Sequence, residues 1–434
     1  LISLPVVCRN GASAPSMSAN AASTFRTDAA VIGLVGLAHG VSHFFQLLLP
    51  PLFPWIRAEL ELSYVELGSL MTVFFVISGV GQALAGFVVD RVGARRVLFF
   101  GLAALVASGV VVAGSSGHAG LALGAALAGL GNCVFHPVDF TLLNRRVSPG
   151  RLAHAFSAHG ISGNLGYAAA PVFLVALAQL SGSWRTAALA AAGIGLTVLL
   201  LVWLCRGLLD DRPAAAGQAR PAADATAGSS TGSSLDFLKL PQVWACFAFF
   251  FVASVTIGGI QSFAPAALVQ LYGLPLTLAA LAYTVFMLAS AGGMLVGGFA
   301  AARTSDHDRL IAACFTVSGT LLILLGLDVV PAAAVLPIMA LAGFGTGVAN
   351  PSRDLLVRAA APEGATGLVY GTVYSGLDAG MATAPLVCGA IMDLSQPGWL
   401  FAAAGACQFL AIATAIGVGS GSRRLRQAAA QASV

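Results

Sequence analysis

His39 and His43 stand four residues apart in an apolar stretch, and Gln46 follows three further on, so all three project from one stripe of a helix. An unperturbed imidazole titrates near pH 6.5 (about 6.5 in model peptides), which suits proton coupling or contact with a polar substrate. An i, i+4 histidine pair also has metal-ligand spacing, but no acidic or Cys partner stands beside it in the sequence, and no metal site is expected. The competing reading is a pair of structural histidines with satisfied hydrogen bonds. Asn132, His136 and Asp139 fall in a second apolar stretch, His159 and Asn164 in a third. Arg353, Asp354, Tyr370, Tyr374 and Asp378 lie in two stretches near the C-terminus. Ionisable groups inside apolar segments of this length are costly and usually functional.

These polar residues are related by an internal repeat. LAGLGNCVFHPVDFTLL and, further on, GNLGYAAAP in residues 119–171 are matched by LAGFGTGVANPSRDLLV and LDAGMATAP in residues 333–385, at an offset of 214. The repeat sets Asp139 over Arg353, His136 over Asn350, Asn164 over Asp378 and Pro171 over Pro385. A weaker match sets Gln46 over Gln261. Opposite charges at symmetry-related positions suggest a gate in which Asp139 and Arg353 meet between the halves. The alternative satisfies each charge in its own half, Arg353 against Asp354. Tyr370, Tyr374 and Asp378 follow at four-residue steps and share a face. That face either lines a cavity and carries a proton, or holds Asp378 at a helix contact.

The elements that must position these groups are set by composition. The chain of 434 residues is 58% hydrophobic and 9% charged, against about 25% charged in soluble domains. Crossing the hydrocarbon core takes about 20 apolar residues in a helix. Twelve such stretches occur, near 30–53, 65–89, 97–114, 119–144, 152–180, 184–205, 242–270, 277–300, 309–327, 332–357, 366–392 and 398–420. The expected fold is all-α and integral to a membrane, with twelve transmembrane helices in two pseudo-symmetric six-helix bundles. Residues 1–28 are expected to form a disordered N-terminal tail, 29–206 the first half, 207–240 an Ala/Gly/Ser/Pro-rich linker, 241–421 the second half and 422–434 a C-terminal tail. Met17 reads as an alternative start. With an even number of spans per half, the two are related by an axis along the membrane normal.

Cytoplasmic loops carry an excess of Lys and Arg. Placing the N-terminus in the cytoplasm leaves only Arg57 and Arg185 outside among 21 basic residues, so both termini are expected there. The net charge of +4 then reports topology, and no nucleic-acid partner is expected. The seven Cys residues form no C-x-x-C pair and imply no disulfide framework. Arg outnumbers Lys twenty to one and Ala is abundant, which reads as a GC-rich bacterial genome and hence an inner membrane. Enzyme signatures fail. Lys239 is the sole lysine and follows Leu238, so no phosphate loop exists. The G-x-S-x-G run from Gly228 to Gly232 lies in the linker, without the strand and helix that motif needs.

The segment Gly86-Phe-Val-Val-Asp90-Arg91-Val-Gly93-Ala-Arg95-Arg96 resembles the G-x-x-x-D-R-x-G-x-[RK]-[RK] loop of the major facilitator superfamily. In that reading Gly86 admits close helix approach, Asp90 sits at a helix N-terminus, Arg91 pairs with an acid and Gly93 makes the turn. The second half keeps Gly298 and Arg303 but has Ala302 in place of the acid. HGVSHFFQLLLPPLFPWI at 39–56, GNCVFHPVDFTLLNRRVSP at 131–149, AFSAHGISGNLG at 155–166 and PSRDLLVRAAAPEGATG at 351–367 resemble the fosmidomycin-resistance-like branch. The resemblance implies a cavity lined by spans one, four, seven and ten, and a monomer that exchanges a small organic molecule for protons without a cofactor. Proton-coupled efflux is the expectation. Symport uptake of an organic acid or metal chelate, and a membrane sensor without flux, are the alternatives.

Overall fold

The computed structural model describes residues 17–210, 241–304, 306–360 and 366–432. Its regular elements are helical. In the first half they are α1 (Met17–Gln46), α2 (Phe53–Leu60), α3 (Tyr64–Val92), α4 (Ala94–Ala113), α5 (His118–Asn132), α6 (Phe135–Arg146), α7 (Leu152–Ser181) and α8 (Trp184–Leu204). The second half holds α9 (Pro241–Tyr272), α10 (Leu276–Ala302), α11 (His307–Gly326), α12 (Val335–Ala360), α13 (Thr366–Asp393) and α14 (Pro397–Ala432). Twelve spans among the described residues are long and apolar enough to cross a membrane, six in each half. In hydrocarbon every backbone amide must be satisfied within its own helix, which accounts for the choice of helix throughout.

Two boundaries differ from the sequence expectation. Helix α1 begins at Met17, inside the segment expected to be a tail. Asp28 of α1 is buried at 3% exposure. It accepts hydrogen bonds from the Ser148 hydroxyl and, at 2.7 Å, from Arg151. A charge satisfied against the α6–α7 connection orders the start of α1. Helix α14 continues to Ala432, beyond the expected boundary at 421. Residues 1–16 and most of the expected linker, 211–240, lie outside the described residues.

The fourth span is broken. Helix α5 stops at Asn132, a turn passes through Cys133 and Val134, and α6 restarts at Phe135. Pro137 has no amide to bond the Cys133 carbonyl, so an uninterrupted helix would leave that oxygen unpaired. Its repeat mate Pro351 lies within α12, which is unbroken. The break places His136 and Asp139 in the first turns of a new helix, an arrangement common around transporter sites.

One end of the bundle carries the α3–α4 and α6–α7 connections with Arg91, Arg95, Arg96, Arg145, Arg146 and Arg151, and is here termed the basic end. At the α3–α4 turn Gly93 has φ 96° and ψ 140°, a conformation that only Gly adopts without strain. The two halves meet along α3 with α13 and along α7 with α10. Several of these contacts lie toward the opposite, far end. The Asp393 carboxylate accepts from the backbone amides of Tyr64 at 2.7 Å and Val65 at 2.9 Å, capping the N-terminus of α3 from the other half. Gln270 Nε2 donates to the Tyr64 hydroxyl at 2.5 Å, and Phe53 packs against Phe263 with tilted rings whose centroids are 5.5 Å apart. Nearer mid-membrane, Thr72 donates to the Ala382 carbonyl at 2.6 Å and Thr284 to that of Ala168 at 2.7 Å. Within the second half, Gly343 and Gly347 of α12 face α10 so closely that a Cβ at Gly347 would lie 2.0 Å from the Ser290 carbonyl oxygen. Small residues four apart permit this approach, and dispersion at that distance replaces the hydrophobic force that lipid does not supply.

Candidate functional site

Helices α1, α6 and α7 converge on one carboxylate. Asp139 is fully buried. Its Oδ2 accepts from His159 Nε2 at 3.0 Å and lies 3.1 Å from His39 Nδ1. The His39 approach is not aligned for a hydrogen bond, and His39 Nδ1 and Asp139 Oδ1 are both buried without a hydrogen-bond partner among the described residues. The His39 and His159 rings stack at 3.6 Å between centroids. Gly163, one turn beyond His159, makes room for them: a Cβ there would be 3.0 Å from His39 Nε2.

His43 continues the stripe, its centroid 4.4 Å from that of His39 and 4.3 Å from the ring of Tyr167. His136 completes the cluster at 5.3 Å from His39 and 6.0 Å from His159. The Gln82 amide oxygen lies 2.9 Å from His136 Nδ1, within hydrogen-bond distance. Asn132 ties three helices together, donating to Ser42 Oγ and accepting from Ser78 Oγ, each at 2.7 Å. Two imidazoles therefore touch the carboxylate, two more pack behind them, and no Lys or Arg reaches it among the described residues.

Six of the expected site residues thus come together in the first half: His39, His43, Asn132, His136, Asp139 and His159. The acidic partner that the sequence did not set beside the histidine pair is supplied by α6. Ligand atoms of His39, Asp139 and His159, and likewise those of His39, His43 and His136, lie within 4.8 Å of one another.

The expected meeting of Asp139 with Arg353 does not occur in this conformation, because the Asp139 carboxylate faces α1 and α7 of its own half. The Arg353 guanidinium lies over the Phe250 ring at 4.9 Å. Gln46 is buried one turn beyond His43. Gln261 is buried in α9 with Nε2 unpartnered among the described residues. Asn164 donates to the Gly160 carbonyl at 3.1 Å and faces Met294 Sδ of the other half at 3.7 Å. Asp378 is half-buried where α13 crosses α3, and a Cβ on Gly79 would be 3.0 Å from its own. Asn350 is half-buried in α12. The side chains of Asp354, Tyr370 and Tyr374 lie outside the described residues.

The loop motif is realised in part. Gly93 makes the turn, and Arg95 lies 3.7 Å from Asp210 and donates to the Arg206 carbonyl at 3.2 Å. Arg96 and Arg91 are exposed. Asp90 is exposed as well and makes no hydrogen bond or ion pair among the described residues. Gly86 was expected to admit a close helix, yet a Cβ there would meet nothing within 4 Å, because its face points away from the packed seams. Tyr167, Gln82, Ser42, Ser78 and Asp393 were missed. Tyr167 was within reach, since His159, Gly163 and Tyr167 repeat every four residues on one face of α7.

Two six-span helical halves around polar groups buried within the membrane define a secondary transport protein. The chain belongs to the Major Facilitator Superfamily, whose family model matches residues 35–385. It is 24% identical over 273 residues to the fosmidomycin resistance protein of Escherichia coli (strain K12), covering 63% of this chain and 65% of that one. It is 26% identical over 180 residues to the uncharacterized MFS-type transporter YfnC of Bacillus subtilis (strain 168), covering 41% and 42%. The matched stretch is thus under two thirds of the length of both relatives. Membrane sensor protein UhpC of Salmonella typhimurium (strain LT2) is 26% identical over 327 residues, 71% of this chain and 72% of that one. Among solved structures, a bacterial homolog to the human lysosomal transporter Spinster, in an inward-facing and unoccupied conformation, superposes with a TM-score of 0.70 at 15% identity, over 92% of this chain and 97% of that one. A mutant of the nucleoside transporter NupG gives 0.66 at 15% identity, over 91% and 99%. At these identities the likeness shows the fold.

Proposed function

We propose that this protein is a proton-coupled antiporter that exports a small organic molecule across a bacterial inner membrane. The observation that carries the reading is Asp139: a carboxylate fully buried in a membrane span, touched by two imidazoles and, among the described residues, by no fixed cation. Such a group is far less costly when a proton accompanies it than when it stands alone. Loss and gain of that proton is the event to couple to movement. Imidazoles that touch Asp139 and stack on one another supply a route for the proton. Asp378, half-buried at the crossing of α13 and α3, is a second carboxylate on the path between the halves.

The basic end faces the cytoplasm in this reading, as the excess of Arg there directs. The far-end contacts of Asp393, Gln270 and Phe263 then close the outer side, and the conformation is the cytoplasm-facing one. Rocking of the halves about the α3–α13 and α7–α10 seams would expose the site to each side in turn. Moving one net charge through 100 mV supplies about 2.3 kcal/mol, enough for a concentration ratio of roughly forty- to fifty-fold at about 1.4 kcal/mol per decade.

The test uses inside-out vesicles with an acidic lumen, a lumenal pH dye and a panel of drugs and metabolites that begins with fosmidomycin. Compound-dependent alkalinisation of the lumen is expected for at least one compound. Compound-dependent acidification from the opposite gradient would favour symport uptake, for which Arg353 would serve as an anion anchor. A folded protein that moves no proton with any compound would refute coupling and favour a sensor.

A further inference from the structure

The carboxylate of Asp139 is approached unevenly. Two imidazole nitrogens crowd Oδ2 at 3.0 and 3.1 Å, while Oδ1 has no hydrogen-bond partner among the described residues. One of the two nitrogens, His39 Nδ1, is also buried and unpartnered although it sits 3.1 Å from an acceptor. A simple hydrogen-bonded cluster would align that nitrogen with the oxygen. The spacing suits a different bond. Ligands at roughly 2.0–2.1 Å from a tetrahedral Zn²⁺ stand about 3.3 Å from one another, close to the two nitrogen–oxygen separations here, and all three ligand atoms lie within 4.8 Å of one another.

We propose that His39, Asp139 and His159 form a binding site for one divalent transition-metal ion of the Zn²⁺, Co²⁺ and Ni²⁺ class. Two imidazoles and one carboxylate select such borderline ions. Ca²⁺ and Mg²⁺ require more oxygen ligands. The site is built: His39 and His159 are at most 6% exposed, Asp139 is fully buried, and all three come from different helices. His43 and His136 stand behind His39 as a further group with ligand spacing. His136 is held by Gln82, the kind of outer hydrogen bond that orients metal-binding imidazoles. The ion displaces protons from the nitrogens it takes, so it competes with the proton for the same atoms. The inference does not depend on the direction of transport.

The experiment uses tag-free, full-length protein in detergent, stripped with a chelator and titrated with Co²⁺ alone. The expected result is one bound equivalent with visible d–d absorption of a nitrogen- and oxygen-ligated ion, displaced by Zn²⁺. His39→Ala and Asp139→Asn should each weaken binding by at least ~10-fold, while His154→Ala, at an exposed histidine outside the cluster, should leave it unchanged. Size-exclusion profiles show whether each variant is folded. Should a variant fail to fold, X-ray absorption on the cobalt-loaded wild type decides the matter by counting imidazole ligands. No stoichiometric binding by the wild type, fewer than two imidazoles at the ion, or binding kept in folded His39→Ala and lost in His154→Ala would overturn the proposal. Repeating the vesicle assay with chelator present separates the two ideas, because antiport in metal-free buffer leaves the proton reading standing whatever the cobalt titration gives.

Discussion

Replacing Asp393 with Ala removes the cap that the second half places on α3. Both backbone amides that it accepts, from Tyr64 and Val65, would lose a charged acceptor. A hydrogen bond to a charged group is worth about 1.5–3 kcal/mol when enclosed, but Asp393 is exposed at the far end, so the lower scale of a helix-terminus charge applies, about 0.3–1 kcal/mol for each contact. The pair then contributes about 0.6–2 kcal/mol to far-end closure, because the contact joins the halves and is lost when they separate there. At about 1.4 kcal/mol per decade this shifts the balance of conformations roughly 3- to 25-fold. A far-end-open population of about 1% would rise to roughly 3–20%. Spin labels at Ser116 and Ala332, exposed at the far ends of the two halves, report the change by pulsed electron resonance. The expected result is a new long-distance component in Asp393→Ala. Superimposable distance distributions for variant and wild type, with Asp393→Ala still folded, would refute the reasoning that this contact sets the closed state.

Gly347→Leu should lower the melting temperature by several degrees or abolish a monodisperse profile, since overpacking of a tight seam costs about 1–3 kcal/mol or more; an unchanged profile would contradict the α10–α12 packing. Gly93→Ala should destabilise the protein by about 1–3 kcal/mol through its positive φ. Asp90→Asn, at an exposed and unpaired carboxylate, should stay within about 0.5 kcal/mol of the wild type by the same thermal measurement. The opposite order of these two variants would show that the loop is held by its acid rather than by its turn.

The twelve spans and the two halves were legible because hydrocarbon leaves the backbone few options and because the 214-residue repeat is written in the spans themselves. The pair His39 and His43 was legible from helical spacing alone. The partner of Asp139 was not. A repeat relates positions by rotation about an axis, and symmetry mates touch only when both lie near that axis. Asp139 instead faces α1 and α7, so its balance is struck within its own half. Pro137 signalled a helix break, yet Pro351 at the same repeat position leaves α12 intact. A proline therefore marks where a break is cheap, and packing decides whether it occurs. Asp393 carried no motif at all, since its role comes from an approach between residues more than 300 apart in the chain. Gly86 matched a motif, but the sequence did not show which way its face points.

The central claim is that the coupling proton resides on Asp139 and its imidazoles. The decisive measurement compares wild type and Asp139→Asn in proteoliposomes, with one transported compound, under two conditions. Exchange of labelled for unlabelled compound without any gradient tests the binding site and the rocking motion. Accumulation driven by a pH gradient tests coupling. The account predicts that Asp139→Asn retains exchange and loses gradient-driven accumulation. Accumulation by Asp139→Asn at the wild-type level would contradict it.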